Sequence, residues 1–324
     1  MKGIHSITVQ NKRIRYQFKI KRNITVIRGD SATGKTTLID MIQEYYEEGE
    51  ESGIFLHSDK ECVVISSNRR WKQELSVIKD SIVFIDEGNK FVFGQEFASY
   101  IKDTDNYYVI VTRDGIPTLP YSVKEIYGIR NSGKYGELKQ VYNEFYPFYA
   151  LKEENNLAEK DIIITEDSNS GYQFFDRISE ELKIECETAS GKSNIFAKIK
   201  YLERMKKEQK ILVVADGAAF GSEIEKIEKL RKLNGQIDLY LPESFEWMIL
   251  KSGILEKKKI KEIIDKPFDY IESQNYFSWE RFFTELLVTE TEKTQFPYFK
   301  SKLNEYYMKG QIKDKILDAM KNGE

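Results

Sequence analysis

The sequence predicts an α/β protein built from two successive domains. Short β-branched segments alternate with segments of helical length, a pattern typical of a parallel sheet with crossover helices. A polar and acidic stretch at 149–161 interrupts this alternation, which then restarts, and 324 residues are enough for two sizeable cores. We therefore predict a first domain over 1–150, and a second, smaller α/β domain over 151–324 with a helical C-terminal part.

The first domain is predicted from a series of short apolar segments. Two β-like runs, IHSITVQ and IRYQFKI, come before a third, NITVIRG, which enters a glycine-rich loop at residue 29. Four further strand-like segments follow the loop: CVVISS (62–67), SIVFIDE (81–87), YYVIVTRD (107–114) and EIYGIR (125–130). Helix-length segments separate them, so a parallel sheet is expected.

The second domain repeats this pattern on a smaller scale. The predicted strands are DIIITED (161–167), KIECET (183–188), KILVVAD (210–216) and QIDLYLPES (236–244), and the predicted helices between them cover 171–182, 193–208 and 223–233. From Phe245 onward the aromatic residues recur at helical spacings, among them Trp247, Trp279, Phe282 and Phe283. Such spacing is typical of core-facing helix positions, so this part is predicted to be mostly helical.

The composition excludes several classes of protein. No apolar run approaches the ~20 residues that a membrane-spanning helix needs, and the alternating start MKGIHSITVQ is unlike a signal peptide, so the cytoplasm is the expected compartment. Cys62 and Cys186 lie far apart, and only His5 and His57 accompany them, which excludes structural zinc and a disulfide framework. Any metal is therefore expected to be bound by oxygen.

The charge gives little guidance on partners. A net charge of −3 at pH 7 provides no overall attraction to nucleic acid. Two basic runs, KIKR at 19–22 and EKKKIKEIIDK at 256–266, either form a local basic patch or are solvated surface. Nucleic-acid binding therefore stays open at this level.

The glycine-rich loop matches the P-loop pattern in full. Gly29, Gly34, Lys35 and Thr36 occupy the positions of GxxxxGK[ST], with a predicted strand before the loop and a predicted helix after it. In that arrangement backbone N–H groups and the helix N-terminus converge on phosphate oxygens, Lys35 reaches the β and γ phosphates, and the Thr36 hydroxyl binds Mg²⁺. The predicted nucleotide contacts are Gly29, Asp30, Ser31, Ala32, Thr33, Gly34, Lys35, Thr36 and Thr37. The alternative is a glycine-rich turn without a ligand.

A second motif supports the first. In SIVFIDEG, four apolar residues bring Asp86 to the end of a buried strand, where its carboxylate can join the Mg²⁺ shell, and Glu87 follows as a candidate base for an attacking water. On these two motifs, residues 1–150 resemble P-loop ATPases with an added catalytic glutamate, the group that includes the ABC and AAA families. The resemblance implies ATP and Mg²⁺ as ligands, with Lys35 and Glu87 as catalytic residues.

The same resemblance implies further features of the first domain. A strand between the two motif strands should end in a polar sensor residue, and YYVIVTRD offers Thr112 and Arg113. The two β-like runs before the loop resemble the small antiparallel flap of ABC-type ATPases, although the sequence lacks an LSGGQ-like signature. Adenine is favoured over guanine because an NKxD-like motif is absent. Candidate arginine fingers for a neighbouring molecule are Arg28, Arg69, Arg70 and Arg130.

Carboxylates follow two strands of the second domain. Glu166 and Asp167 end the first predicted strand, and Asp216 ends the third. The carboxyl ends of parallel strands share one edge, where two carboxylates can hold Mg²⁺ or Mn²⁺ for phosphodiester chemistry. Nearby, ASGKS at 189–193 is not a second P-loop, since Cys186 stands where the first glycine is required, but Lys192 and Ser193 are candidate phosphate contacts.

This arrangement resembles the TOPRIM domain of OLD-family nucleases, which join an ATPase to a C-terminal TOPRIM domain. The resemblance assigns Glu166 and Asp216 as catalytic and metal-binding residues. The second aspartate of the TOPRIM third strand is missing, since Ala218 occupies its position. Glu223, Glu243 or Glu246 supplies the further acid, or the domain has lost metal catalysis, or it is an unrelated α/β module in which Asp167 caps a helix.

Two functions are therefore expected as alternatives. In one, ATP controls a DNA-processing or defence nuclease. In the other, the chain is an ATP-switched binding or sensor module whose TOPRIM-like domain is not catalytic and acts with a partner protein. DNA and a second copy of the chain are the other candidate partners, and no membrane is expected.

Overall fold

The computed structural model describes residues 1–29, 33–135, 140–150, 156–205 and 209–321. Contacts divide the chain into two compact units. The first comprises Met1–Tyr149 and Pro267–Phe277, and the second comprises Ala150–Lys266 and Ser278–Glu324. The segment 267–277, which lies inside the predicted second domain, therefore packs with the first unit. Both units combine strands and helices.

One nine-stranded sheet, counted over the described residues, organises the first unit. Its strands are β1 (His5–Gln10), β2 (Ile14–Ile20), β3 (Ile24–Ile27), β4 (Phe55–His57), β5 (Cys62–Ile65), β6 (Ile82–Ile85), β7 (Tyr107–Val111), β8 (Ile126–Tyr135) and β9 (Val141–Pro147). They lie in the order β4-β1-β2-β9-β8-β3-β7-β6-β5. The helices of this unit are α1 (Lys35–Glu48), α2 (Trp71–Val77) and α3 (Gln95–Ile101).

The sheet has a parallel part and an antiparallel part. From β8 through β3, β7 and β6 to β5, every pair of neighbours is parallel. Strands β3, β5, β6 and β7 are buried along their whole length, as expected for strands covered on both faces. In the other part, which we call the antiparallel part, β1 pairs antiparallel with both β2 and β4 and β8 pairs antiparallel with β9, although β2 and β9 run parallel to each other. The predicted mixed α/β class is confirmed.

Strands β1 and β2 alternate between the core and the outside. Their inward residues, such as Ile7, Val9 and Phe18, join one hydrophobic core with Leu38 and Ile42 of α1. Burying each such aliphatic side chain contributes about 1.5–3 kcal/mol. The antiparallel strands and the helix that follows the glycine loop are thereby fixed to each other.

The second unit contains a four-stranded, fully parallel sheet within the described residues. Its strands are β10 (Ile162–Thr165), β11 (Glu185–Thr188), β12 (Ile211–Val214) and β13 (Ile237–Tyr240), in the order β11-β10-β12-β13. Its helices are α4 (Ser170–Leu182), α5 (Ile195–Met205), α6 (Ile224–Leu233), α7 (Phe245–Lys251), α8 (Lys258–Asp265), α9 (Trp279–Thr291) and α10 (Gly310–Lys321). The predicted helix 193–208 is observed over 195–205, and 206–208 lie outside the described residues.

Two strands were not predicted. Strand β4 has three residues, too few for a periodic pattern, and β9 mixes polar and apolar residues at half-buried positions. Both occur in the antiparallel part of the sheet, where pairing partners decide the conformation more than local composition does. Across the described ranges, none of the helices is both long and apolar enough to cross a membrane.

Candidate functional site

The glycine-rich loop connects the end of β3 to the start of α1. Gly29 and Gly34 both have positive φ angles, 139° and 88°, which favour glycine because other residues are strained there. Gly34 is the residue before the helix, and its carbonyl accepts the first helical bond from Leu38 N–H at 3.0 Å. The predicted contacts Asp30, Ser31 and Ala32 lie outside the described residues.

Lys35 joins the two ends of the loop. Its Nζ donates to the Gly29 carbonyl oxygen at 2.8 Å and to Thr33 Oγ1 at 3.1 Å, and the side chain is buried. The ammonium therefore bridges the two ends of the loop through neutral acceptors, which a phosphate oxygen would replace. Thr36 is exposed in the first turn of α1, where its hydroxyl is accessible, and Thr37 is half-buried.

Tyr16 of β2 contacts the end of the loop at Gly34, a contact that was not predicted from the sequence. Its hydroxyl donates to the Gly34 carbonyl oxygen at 2.9 Å. Burial raises the pKa of this phenol, which keeps it a neutral donor. A Cβ atom at position 34 would lie 2.7 Å from Tyr16 Oη, closer than real contacts allow. Alternation placed Tyr16 on the inward face of its strand, but nothing local indicated that this face meets the loop.

We expect Gly34→Ala to lower the free energy of unfolding by about 1–3 kcal/mol, since alanine is strained at this φ and its Cβ displaces the Tyr16 hydroxyl. Urea unfolding measures the loss. In a Tyr16→Phe background the nearest remaining ring atom, Cζ, is 3.6 Å from the added Cβ, an ordinary contact. In that background the part of the stability loss that comes from the steric clash should disappear, and the part that comes from backbone strain should remain. Equal stability of Gly34→Ala and the parent protein would contradict the close approach.

Asp86 follows β6 and carries an unpartnered oxygen. Its side chain is half-buried, and Oδ1 is inaccessible to solvent and has no hydrogen-bond partner among the described residues. Burial raises the pKa of Asp86, as do the charges of Asp40 and Glu87, while a bond from the Glu87 backbone and the Lys35 ammonium lower it. A buried carboxylate oxygen without a partner is costly, and a cation would satisfy it. The predicted Mg²⁺ role fits this geometry.

Strand β7 lies between β3 and β6, the position that the sequence analysis expected. Of the two candidate sensors at its end, Arg113 pairs with Glu87, with 2.6 Å between Nε and Oε1. The Thr112 side chain is buried, and its hydroxyl donates to the Asp114 carbonyl and accepts from the Asp114 N–H, both at 3.1 Å. Of the two candidates, Arg113 is therefore the one in contact with Glu87, while Thr112 stabilises the turn that follows the strand.

The arginine-finger candidates differ in accessibility. Arg28 is buried and its Nη1 donates to the Tyr149 hydroxyl at 2.9 Å, so it is not displayed to another molecule. Arg130 is exposed and pairs with Glu144 at 2.9 Å. Arg69 and Arg70 are exposed in the turn before α2. The geometry thus argues against Arg28 and leaves the other three candidates as predictions.

In the second unit the structure brings Glu166 and Asp216 together. They follow the adjacent parallel strands β10 and β12, and the Asp216 N–H donates to Glu166 Oε2 at 3.1 Å. The two side chains border a cavity of about 40 Å³ at the carboxyl edge of the sheet, large enough for water-sized occupants. The same edge was predicted to collect the carboxylates.

Residues from the helical C-terminal part complete this cluster. Glu246 of α7 also lines the cavity, and the Tyr298 hydroxyl donates to its Oε1 at 2.7 Å. Lys300 forms an ion pair with Glu280 of α9 and lies 4.0 Å from Glu246 Oε1. Glu280, Tyr298 and Lys300 were missed, because they come from a region where the sequence shows helical spacing and no motif.

Repulsion and burial dominate the electrostatics of the cluster. Burial raises the pKa of Asp216 well above its ordinary value, and the charges of Glu280, Glu166 and Glu246 add to this, against the attraction of Lys300. Burial likewise raises the pKa of Glu166, which the Asp216 N–H and Lys192 counteract. Burial lowers the pKa of Lys192, whose Nζ donates to the Ala219 carbonyl at 2.7 Å. A cation in the cavity would relieve the repulsion between the carboxylates.

The available oxygen donors, from Glu166 and Asp216, suit a cation that binds few protein ligands and keeps several waters. Throughout the described part of the chain, His, Cys, Asp and Glu side chains do not form a group of three or more that could hold a metal ion. Mg²⁺ commonly binds to one or two carboxylates and retains several waters, so Glu166 and Asp216 are a sufficient protein contribution. Zinc chemistry with nitrogen or sulfur ligands has no support at this position.

Gly217 and Ala218, which follow Asp216, are packed inside the protein. Ala218 is buried, and a Cβ at Gly217 would lie 2.4 Å from the Leu241 carbonyl oxygen. Glu223 and Glu243 are buried but do not border the cavity, so Glu246 is the proposed further acid that reaches it. Asp167 borders the cavity and accepts from the Asn169 backbone and side chain in the turn before α4.

Stability should fall as pH rises because of Asp216. A raised pKa means that the folded protein holds this proton more tightly than the unfolded chain does, so the stabilisation is present below the ordinary value of 3.8 and is lost as pH rises through the raised pKa. Asparagine does not titrate, so the free energy of unfolding of Asp216→Asn should increase relative to that of the parent protein as pH rises. Urea unfolding at a series of pH values measures the difference.

The matched control is Asp314→Asn, which changes an exposed carboxylate on α10. The difference in unfolding free energy between this variant and the parent protein should be the same at every pH in the series. Added Mg²⁺ should reduce the advantage of Asp216→Asn if the cavity accepts the cation. A pH-independent difference for Asp216→Asn would contradict the account of repulsion.

No protein-family model matches the chain, and no curated protein matches it either.

Proposed function

We propose that the first unit binds and hydrolyses Mg-ATP at the loop between β3 and α1. The observation that carries the proposal is the buried Lys35 ammonium, which bonds to both Gly29 and Thr33 and whose charge acts on Asp86, where Oδ1 has no hydrogen-bond partner. A positive charge, a glycine-framed helix N-terminus and a metal-binding carboxylate are the parts that phosphoryl transfer needs.

Each side chain has a distinct task in this mechanism. Thr36 and Asp86 would hold Mg²⁺, which when bound neutralises charge on the phosphates. Lys35 leaves its loop acceptors and donates to phosphate oxygens, so that its charge offsets the charge that develops as the phosphoryl group transfers. Glu87 orients the attacking water and accepts its proton, and Arg113 fixes the direction of the Glu87 side chain.

For the second unit we propose a TOPRIM-like metal site for DNA phosphodiester chemistry. Its support is the contact between Glu166 and Asp216 at the carboxyl edge of a parallel sheet, beside a small cavity that both side chains line. Glu166 and Asp216 would hold Mg²⁺ or Mn²⁺, which polarises the phosphate when bound. Lys192, near Glu166, would contact the phosphate. In this proposal the ATPase controls access to, or the geometry of, the cleaving site.

A second candidate function is an ATP-switched binding or sensor module that acts with a partner protein. The buried Ala218 favours it, because a TOPRIM domain carries an aspartate there. The ion pair of Lys300 with Glu280 favours it too, since it partly neutralises the cluster without a metal. In this alternative the cavity is a structural polar core and nothing is cut.

DNA cleavage separates the two candidates. Supercoiled and linear DNA are incubated with the full chain and Mg²⁺ or Mn²⁺, with and without ATP, beside Glu166→Ala and Lys35→Ala. We expect cleavage that Glu166→Ala removes and that Lys35→Ala makes insensitive to ATP. The control is Glu305→Ala, an exposed glutamate of the same unit. Intact DNA together with normal ATP hydrolysis would favour the binding module.

Melting of the full chain provides an independent test of the metal site. Mn²⁺ should raise the melting temperature of the parent protein by mass action, and Glu166→Ala should reduce the increase. Glu305→Ala should leave the increase unchanged, because that exposed glutamate of the same unit lies outside the cluster. An identical increase in Glu166→Ala would mean that the ion binds elsewhere.

A further inference from the structure

The antiparallel part of the first unit presents one face to solvent. Strand register defines this face, since paired residues point to the same side of a sheet. Arg15 of β2 pairs with Gln10 of β1 and Tyr142 of β9, and Gln10 pairs with Phe55 of β4. On β8, Arg130 pairs with Glu144. The face consists of Ser6, Thr8, Gln10, Arg15, Gln17, Lys19, Phe55, His57, Gly128, Arg130, Tyr142, Glu144 and Tyr146, and we call it the β-platform.

Aromatic rings on the β-platform are combined with guanidinium groups. Arg15 lies over the Tyr142 ring, 5.4 Å from its centroid, and Arg130 lies 5.1 Å from the centroid of Tyr146. At the opposite edge Phe55 is 53% exposed and stacks on His57 with a 14° angle between the ring planes. An exposed phenylalanine on a short edge strand has no role in the core, so the Phe55 ring is available to a ligand, while Tyr142 and Tyr146 are half-buried at the sheet surface.

Gly128 gives Tyr146 its position. A Cβ atom at residue 128 would lie 2.4 Å from Tyr146 Cζ, so the ring lies directly across the β8 backbone. The ring therefore lies along the sheet surface and does not project into solvent. Flat rings of this kind present a π-face outward, which is the surface that a nucleobase stacks on.

The charge of the β-platform is positive. It carries Arg15, Lys19 and Arg130 and a single carboxylate, Glu144, which is already paired with Arg130 at 2.9 Å. This local balance contrasts with the net charge of −3 for the whole chain. Serine, threonine and glutamine supply the remaining positions, and these are neutral hydrogen-bonding groups. The complementary ligand is a polyanion with exposed planar groups.

We propose that the β-platform binds single-stranded DNA. Unpaired bases stack on Phe55, and they replace the guanidinium groups on Tyr142 and Tyr146 as Arg15 and Arg130 turn to contact phosphates together with Lys19. A duplex covers its base faces and would use only the charges. The choice of DNA as the polymer rests on the proposed function, whose substrate is a DNA phosphodiester. Tyr142 and Tyr146 are about 13 Å apart along β9, and β4 and β9 are about 14 Å apart, an area that spans several nucleotides.

Fluorescence anisotropy with a labelled single strand of about 12 nucleotides tests the proposal. Measurements use the full chain in EDTA without ATP, so that neither hydrolysis nor cleavage contributes. We expect the Tyr142→Ala, Tyr146→Ala double variant to bind about tenfold more weakly or worse, and the corresponding phenylalanine variants to retain binding. Arg15→Gln with Arg130→Gln should reduce the dependence of affinity on salt.

Tyr46→Ala is the matched control, because Tyr46 is 51% exposed on α1 of the same unit and lies outside the β-platform. Its affinity should equal that of the parent protein. Unchanged binding in both the tyrosine and the arginine variants would overturn the proposal. Equal or tighter binding of duplex DNA, or of RNA of the same sequence, would overturn the assignment to single-stranded DNA. If the β-platform variants lose binding of single-stranded DNA but keep ATP hydrolysis and cleavage, the role of the β-platform is distinguished from the proposed function.

Discussion

Lys35→Ala is expected to abolish ATP hydrolysis. The side chain places a buried positive charge over the loop, and alanine leaves no group to offset the charge that develops on the phosphoryl oxygens. Loss of a comparable charge-stabilising donor costs about 10²–10³-fold in turnover, and a full ammonium should cost at least as much. Phosphate release at saturating Mg-ATP measures the effect.

Two controls make this result specific. Lys72→Ala removes an exposed lysine of the same unit that pairs with Glu96, and should hydrolyse ATP at the parent rate. The melting temperature of Lys35→Ala shows whether the loop tolerates the loss of the bonds to Gly29 and Thr33. If folded Lys35→Ala protein hydrolysed ATP at the parent rate, the loop would not be the site of ATP hydrolysis.

Glu87→Gln is expected to separate binding from turnover. Glutamine keeps the shape of the side chain but cannot accept the proton of the attacking water, so hydrolysis should fall by about 10²–10⁴-fold while ATP still binds. A fluorescent ATP analogue measures affinity, and phosphate release measures turnover. The variant should accumulate the ATP-bound state, in which light scattering would detect a second copy or a partner completing the site.

Arg113→Ala is the companion variant. It removes the partner of Glu87 and leaves the base in place, so turnover should fall less than in Glu87→Gln. The ranking of the two variants therefore tests whether Arg113 positions Glu87. Tight ATP binding with unchanged hydrolysis in Glu87→Gln would show that another group activates the water.

The residues of both sites that lie at the end of a strand or in the loop after it can be predicted from the neighbouring sequence. Gly29, Lys35 and Asp86 follow buried parallel strands, and their order in the chain already indicates that they meet at one edge. Glu166 and Asp216 were predicted in the same way. In each case the apolar strand is short and continuous, so its end can be predicted from the sequence to within about two residues.

Other site residues depend on contacts between distant segments. Tyr16 reaches the loop only because β2 packs inside the same core as α1, and no local pattern encodes that packing. Glu280 and Lys300 enter the second cluster from a helical region that follows all of its strands. The charges that act on Asp216 therefore include carboxylates, such as Glu280, that spacing along the sequence does not reveal.

The path of the chain bears on how the two units unfold. Residues 267–277 belong to the first unit although the chain before and after them belongs to the second, so the backbone passes between the units three times. When the first unit unfolds, this segment becomes a free loop inside the second, and closing that loop costs entropy. The stability of the second unit therefore depends on the first remaining folded. A fragment cut near residue 155 would lack this restraint, and its melting would not report the second unit as it exists in the intact chain.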